Sequence, residues 1–252
     1  MLRINKNALF KALAGALGFE VRKKNKHPRD IDQHAIDIFH RVEPYTMIGF
    51  ERLFSLITAV RYVERNAIAG AFVECGVWRG GASAATALTL ESLSARPRDI
   101  YLFDTFEGMN KPTDEDKTFA DDGAMDEFQK TRTGEESSDW CCASQGEVED
   151  NLRNLGLDPA AFNFVKGRVE ETLPERLPPG PIALLRLDTD WYESTRHELI
   201  HLFPKLAAGG VMIIDDYGDW QGSRQAVDEY RADHGHRMLL TRVNGSVIGV
   251  KS

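Results

Sequence analysis

Two apolar runs that stop abruptly in carboxylates restrict this chain more than any other feature. Residues 184–195 read LLRLDTDWYEST, and residues 209–220 read GGVMIIDDYGDW. A short apolar run reads as a strand buried on both faces of a parallel sheet. In an open α/β sheet, ligands bind beyond the carboxyl ends of such strands. Asp188, Asp190, Asp215 and Asp216 are therefore expected to converge at one rim of the sheet. Carboxylates so crowded repel one another and call for a cation. An oxygen-only donor set suits Mg²⁺ or another hard divalent ion.

The rest of the chain fits that architecture. Its 252 residues and 42% hydrophobic content are enough for one large α/β domain with its own core. No apolar run approaches the length of a membrane span, and the N-terminus lacks the pattern of a secretory signal, so a cytoplasmic enzyme is expected. The three cysteines are Cys75, Cys141 and Cys142. They fit neither a disulfide framework nor zinc-ligand spacing. The net charge of −8 argues against nucleic acid as the main partner. Residues 1–29 run the other way, with eight basic side chains against Glu20 alone. They read as a basic, weakly amphipathic segment within an N-terminal arm, residues 1–44. An arm that packs on a partner subunit or simply frays is the preferred reading, with a membrane-surface anchor as the alternative.

Helical spacing marks residues 50–66, and AFVEC at 71–75 reads as the first strand. A helix is expected from about Ser83 to Leu93, followed by a strand at 100–103 that ends in Asp104. Residues 107–139 hold eleven acidic and four basic side chains with little periodicity. They read as an acidic insertion, reaching to about 145, that closes over the site as a lid. Further on, helices are expected at 147–155, 194–207 and 223–233, and strands at 162–166, 182–187 and 211–214. Two last strands near 237–242 and 246–250, joined by Asn244-Gly245, read as an antiparallel hairpin. The sum is a Rossmann-like α/β fold with a mostly parallel sheet, and the closing hairpin fits the seven-stranded class I methyltransferase sheet.

The turn VECGVWRGG, residues 73–81, leaves a strand and enters a helix. Gly76, Gly80 and Gly81 permit a tight turn and a close approach of backbone to a ligand. The spacing is neither that of dinucleotide-binding proteins nor that of a phosphate loop. Glu74 stands where it can take an ammonium group. Asp104 stands where ribose hydroxyls are commonly bound. Gly167 and Glu170 lie just past another strand, either beside the cofactor's base or in an ordinary polar turn. Trp78 and Trp191 either line the acceptor site or pack in the core, and His197 reads as structural.

Taken together, YTMIGFERLFSLITAVRYVERN, VECGVWRGG, LFDTFEGM, VKGRVEETLP, LLRLDTDWYESTRHEL and GGVMIIDDYGDWQGSRQAVDEY resemble the macrocin O-methyltransferase family, in order, from about residue 45 to 233. Members of that family methylate sugar hydroxyls of antibiotics with S-adenosylmethionine (SAM) and a divalent ion, usually Mg²⁺. The resemblance implies that residues 45–252 form a SAM-dependent methyltransferase domain. It implies metal ligation by Asp188, Asp215 and Asp216, with Asp188 also bordering the cofactor, and a general base at Asp190. It further implies that Glu74 and Asp104 contact SAM, that Thr46 and Met47 border its site, and that the enzyme is a homo-oligomer. Thr189 and Trp191 depart from the DGDLYEST pattern frequent in the family, which bears on the acceptor more than on the chemistry.

The expected acceptor is a glycoside or other small molecule with two neighbouring oxygens, able to reach the ion and the base together. Two rivals stand beside this reading. Asp188-Thr189-Asp190 formally matches the D-x-D motif of metal-dependent glycosyltransferases, and a non-catalytic SAM-binding module would need no base.

Overall fold

A computed structural model describes residues 28–234 and 238–252. Residues 1–27, nearly all of the expected basic segment, lie outside the described residues. The described residues before 37 belong to one compact unit, and residues 37–252 form a second. In the first unit, the Asp32 carboxylate accepts from Ala35 N at 3.0 Å, as an N-cap at the start of helix α1 (Gln33–Val42).

The second unit holds the sheet. Strands β1 (Ala71–Cys75), β2 (Ile100–Asp104), β3 (Phe162–Lys166), β4 (Ile182–Leu187), β5 (Leu206–Ile214), β6 (Leu240–Val243) and β7 (Ser246–Val250) lie in the order β3-β2-β1-β4-β5-β7-β6. The first five pair in parallel, while β7 runs antiparallel to both β5 and β6. The expected hairpin closes the sheet at Asn244-Gly245, where Asn244 adopts φ 55°. Strand order reverses at β1, whose neighbours are β2 and β4. The carboxyl ends of these strands flank the crevice.

Both faces are covered. Helix α2 (Phe50–Arg65) buries Leu53, Leu56, Ile57 and Val60 and lies against α3 (Gly81–Ser92), β4 and β5. Helix α3 is built largely from small residues and is buried through its first ten positions, so its backbone can lie close to its neighbours. On the other face, Leu199 and Leu202 of α7 (Tyr192–Leu202) and Val227 of α8 (Gln221–Asp233) join Val73, Leu185, Leu187, Met212 and Ile214 in one core. Truncating a fully buried leucine such as Leu185 is expected to cost about 2–5 kcal/mol.

Two elements differ from expectation for identifiable reasons. Helix α7 ends at Leu202 rather than 207, because Pro204 cannot continue it, and a single 3₁₀ turn follows. Strand β5 starts at Leu206 rather than 211. Its pairing with β4 shifts register across residues 207–210, where Gly209 takes φ +76° and the strand bulges.

The acidic insertion is more structured than its composition suggests. It contains α4 (Met125–Thr131), several isolated bridges, and the buried side chains of Asp116, Phe128 and Ser138. Helix α5 (Gln145–Asn154) follows it, capped by Ser144 Oγ accepting from Glu147 N. The short helix α6 (Val169–Thr172) lies between β3 and β4.

Candidate active site

Three strand ends meet at one place because a glycine lets them. Gly76 follows β1 at φ +81°, and a Cβ built there would lie 1.9 Å from the carbonyl oxygen of Asp188, the first residue after β4. No side chain fits between the two exits, so Gly76 sets how closely β1 and β4 discharge their loops. Gly80, at φ +86°, caps α3 and turns the chain into the helix. At Gly81 a Cβ would approach Tyr45 O to 2.5 Å, so the helix start packs directly on residues 45–46.

The carboxylates converge as expected. One ligand oxygen each from Asp188, Asp215 and Asp216 lie within 4.8 Å of one another. Both β4 and β5 end before these residues, at Leu187 and Ile214, so strand alternation does not apply to them. A bend at residues 215–216 and the turn at 217–219 bring the adjacent pair Asp215-Asp216 to one point. Asp190 sits on the same rim at φ 65°, and its amide donates to Asp216 Oδ2 at 3.2 Å. Its carboxyl also hydrogen-bonds the side chains of Asp216 and Trp220.

Two arginines partly neutralise this group. Arg186 is buried on β4 and places Nη1 2.6 Å from Glu74 Oε1 and 2.7 Å from Asp188 Oδ2, with Nη2 3.0 Å from Asp215 Oδ1. Arg52 on α2 reaches Asp215 Oδ2 at 2.8 Å and also pairs with Asp219. Sequence reasoning passed over both. Arg186 carried its own signal, a charge inside the otherwise apolar run LLRL, which a buried strand tolerates only with partners. Arg52 carried none, since it lies on an ordinary amphipathic helix.

Of the five carboxylates here, Glu74, Asp188, Asp190, Asp215 and Asp216, three (Glu74, Asp188 and Asp215) pair with these two guanidinium groups. Burial pushes Asp188 and Asp216 well above the usual carboxylate range. The Arg186 charge opposes that rise at both, while neighbouring aspartates add to it. Burial, then the charge of Asp188, pushes Asp190 up to about 8. Such an excess of buried negative charge on hard oxygen donors fits a divalent cation.

A cavity of about 220 Å³ opens on this rim, lined by Thr46, Met47, Glu74, Gly76, Asp104, Asp188, Asp190, Asp215 and Asp216. Trp78, Trp140 and Cys141 complete its wall, and the last two come from the far end of the acidic insertion. A smaller cavity of about 60 Å³ adjoins it, lined by Thr105, Gly167, Arg168, Thr189, Trp191 and Ser194. Gly76, Asp104, Gly108, Met109 and Asp188 border both.

Several expected contacts take a more specific form. Both oxygens of Asp104 already accept backbone hydrogen bonds, from Val77 N (2.6 Å), Trp78 N (3.1 Å) and Phe106 N (2.7 Å). Asp104 therefore fastens the glycine turn as well as bordering the cavities. Glu74 lines the larger cavity with its oxygens held by Arg186 and Ser83. Gly80 and Glu170 line neither cavity, and Glu170 lies instead near Arg168 and the buried Glu198. Trp191 is buried, in ring contact with Trp140 and Trp220, and its indole donates to Asn110 O at 3.0 Å. Trp78 lines the cavity. His197 lines neither cavity, and its Nε2 lies 3.1 Å from Leu173 O.

The macrocin O-methyltransferase family model matches residues 4–250. The chain belongs to this family. It is accordingly a SAM-dependent O-methyltransferase, and the nucleotide-sugar reading of Asp188-Thr189-Asp190 falls away. Demethyldecarbamoylnovobiocin O-methyltransferase of Streptomyces niveus is 36% identical over 188 residues, 75% of this chain and 68% of that protein. Mycinamicin III 3''-O-methyltransferase of Micromonospora griseorubida is 36% identical over 191 residues, 76% of this chain and 72% of that protein. Among solved structures, the O-methyltransferase NovP superposes with a TM-score of 0.72 at 29% identity, covering 98% of this chain and 97% of that one. The calicheamicin methyltransferase CalS11, at a TM-score of 0.61 and 20% identity, shares the fold. No helix among the described residues is long and apolar enough to cross a membrane.

Proposed function

We propose that this enzyme methylates a hydroxyl of a sugar-bearing small molecule in a metal-dependent reaction, with Asp190 as general base. The observation that carries this reading is the meeting of Asp188, Asp215 and Asp216 oxygens within 4.8 Å, on the rim that also holds Asp190. The donor set fits a hard divalent ion, which Asp188, Asp215 and Asp216 would hold. When bound, SAM supplies an electrophilic methyl group, and the ion makes an acceptor hydroxyl more acidic.

The chain's own residues do the rest. The larger cavity sets the acceptor hydroxyl against the Asp190 carboxylate, which removes its proton. Trp220 orients that carboxylate through its indole N–H. Trp140 and Trp191 exclude water on the side facing the acidic insertion. Thr46, Met47, Glu74 and Gly76 border one part of the cofactor, and Asp104 stands where its two parts join the two cavities. Alignment of the reacting atoms contributes up to about 7–11 kcal/mol in favourable cases.

The sugar acceptor is supported by the relatives' names, which specify antibiotic substrates and, for one from Streptomyces olivaceus, a rhamnosyl group. The test is transfer of labelled methyl from SAM to a panel of deoxysugar glycosides and catechols, in Mg²⁺ and in EDTA. Products from glycosides in Mg²⁺ alone support the whole reading. Equal turnover in EDTA removes the metal, and turnover of catechols alone removes the sugar. Asp190→Asn is expected to lower kcat by about 10²–10⁴-fold while S-adenosylhomocysteine still binds. Unchanged turnover in that variant removes the base.

A further inference from the structure

We infer that Asp116, a carboxylate of the acidic insertion, is a positioning residue for the turn that carries Asp190. This rests on the reading of Asp190 as the base. Asp116 is fully buried, and its two oxygens serve different parts of the chain. Oδ2 folds its own loop, accepting from Thr113 N at 2.7 Å and Thr113 Oγ1 at 2.9 Å. Oδ1 reaches out of the loop and accepts from Tyr192 N at 2.8 Å.

That second bond lands where the helix needs it. Tyr192 is the first residue of α7, so its N–H has no partner within the helix. The residue before it, Trp191, supplies no side-chain cap. A carboxylate seventy-six positions earlier in the chain takes that place, with charge of the sign that a helix N-terminus favours. The space is shaped for it. A Cβ on Gly222, in the first turn of α8, would lie 2.2 Å from Asp116 Oδ1. One carboxylate oxygen is thus seated between the starts of α7 and α8, the helices that follow the two aspartate-bearing turns.

The stitching around it runs to the same two turns. Trp191 Nε1 donates to Asn110 O at 3.0 Å, and Gln221 N donates to Lys117 O at 2.8 Å. Gln221 Nε2 donates to Thr118 O at 2.8 Å. Asp190 lies two residues before the capped amide, at φ 65° in the left-handed region, which aspartate adopts more readily than most side chains. Its carboxyl is oriented by Trp220, the residue before α8. Loosening Asp116 therefore releases the base from both sides, while the Gly76 exit and residues 45–47 keep their contacts.

The bond can be cut from either end. Asp116→Ala removes the acceptor. Tyr192→Pro removes the donor together with the tyrosine side chain and puts a ring carbon where the hydrogen was, so it also pushes the Asp116 oxygen out of its seat. Proline is otherwise favoured at the first helical position, and Trp191, at φ −90° and ψ 156°, already has the extended backbone that precedes proline. Tyr192→Ala keeps the N–H and loses the side chain's exposed bond to Glu229, so it serves as the control. The readouts are the Trp220 indole N–H resonance in ¹⁵N-tryptophan-labelled protein with bound S-adenosylhomocysteine, and the steady-state constants with a glycoside acceptor and Mg²⁺.

Both cutting variants are expected to displace the Trp220 resonance and to lower kcat about 10²-fold with KM for SAM unchanged, whereas Tyr192→Ala does neither. A Trp220 resonance unmoved by Tyr192→Pro overturns the proposal, and so does an equal displacement in Tyr192→Ala. If Asp116→Ala does not fold, Tyr192→Pro decides alone. Displacement of Trp220 with full turnover leaves the positioning intact and removes Asp190 as the base.

Discussion

Replacing Arg186 by methionine tests the electrostatic account of the site most directly. The guanidinium is 3% exposed and lies within 3.0 Å of oxygens from Glu74, Asp188 and Asp215. Methionine keeps most of the volume and removes the charge, leaving those carboxylates buried together with only Arg52 at one of them. Breaking a buried ion pair from one side costs about 3–5 kcal/mol. For a domain of this length, each kcal/mol lowers Tm by about 2–4 °C. Arg186→Met in EDTA should therefore melt about 6–20 °C below the parent. Mg²⁺ should then stabilise the variant more than the parent, because the ion meets a larger uncompensated charge. Differential scanning calorimetry in EDTA and in Mg²⁺ measures both effects. A variant that melts with the parent in EDTA would refute the claim that Arg186 neutralises the cluster. No Mg²⁺ shift in either protein would refute the claim that the cluster holds the ion.

Other outcomes follow from the same geometry. Gly76→Ala puts a methyl group against Asp188 O at φ +81° and should lose at least about 1–3 kcal/mol from backbone strain alone, together with S-adenosylhomocysteine affinity. An unchanged Tm with unchanged calorimetric binding would show that the two strand exits are not held together there. Metal-free protein should lose stability as pH rises. Asp188, Asp190 and Asp216 keep protons in the folded state that the unfolded chain releases near pH 4, so their contribution is complete below that pH. It is lost as pH climbs through the raised folded values, about 8 for Asp190. Mg²⁺ should flatten the decline, and a Tm in EDTA that is level from pH 5 to 9 would contradict the shifts. Glu198→Gln replaces a buried carboxyl that burial pushes well above the usual carboxylate range and to which Thr189 Oγ1 donates at 3.0 Å; the neutral amide should change stability by no more than about 1 kcal/mol, read by calorimetry.

The succession of strands along the chain and the gathering of acidic residues at their ends were legible because they depend on local pattern. AFVEC, LLRL and VMII are short, mostly apolar runs that read as buried strands, and each ends where an acidic residue or glycine begins. Asp188, Asp190, Asp215 and Asp216 could be placed on one rim for the same reason. The spacing rule for strands could not predict how they meet, since strand geometry ends one residue before each group. What brings Asp215 and Asp216 together is a turn, and what brings Asp188 near β1 is the absence of a side chain at Gly76.

The acidic insertion shows where such reading stops. Its composition suggests a solvated lid, because eleven carboxylates in thirty-three residues look like a surface. One of those carboxylates is instead enclosed, and its partner is an amide seventy-six residues away whose need for a cap cannot be seen in its own neighbourhood. Trp140, Trp191 and Trp220 likewise come from three separated segments, and each alone reads as an ordinary core or surface residue. Only when β4 and β5 deliver their turns to the same rim do the three indoles meet, one of them hydrogen-bonded to Asp190. The chemistry of the site was therefore written in the strand ends. Its enclosure was written in an unmet backbone donor at the start of α7, a requirement that becomes visible only once the helix is in place.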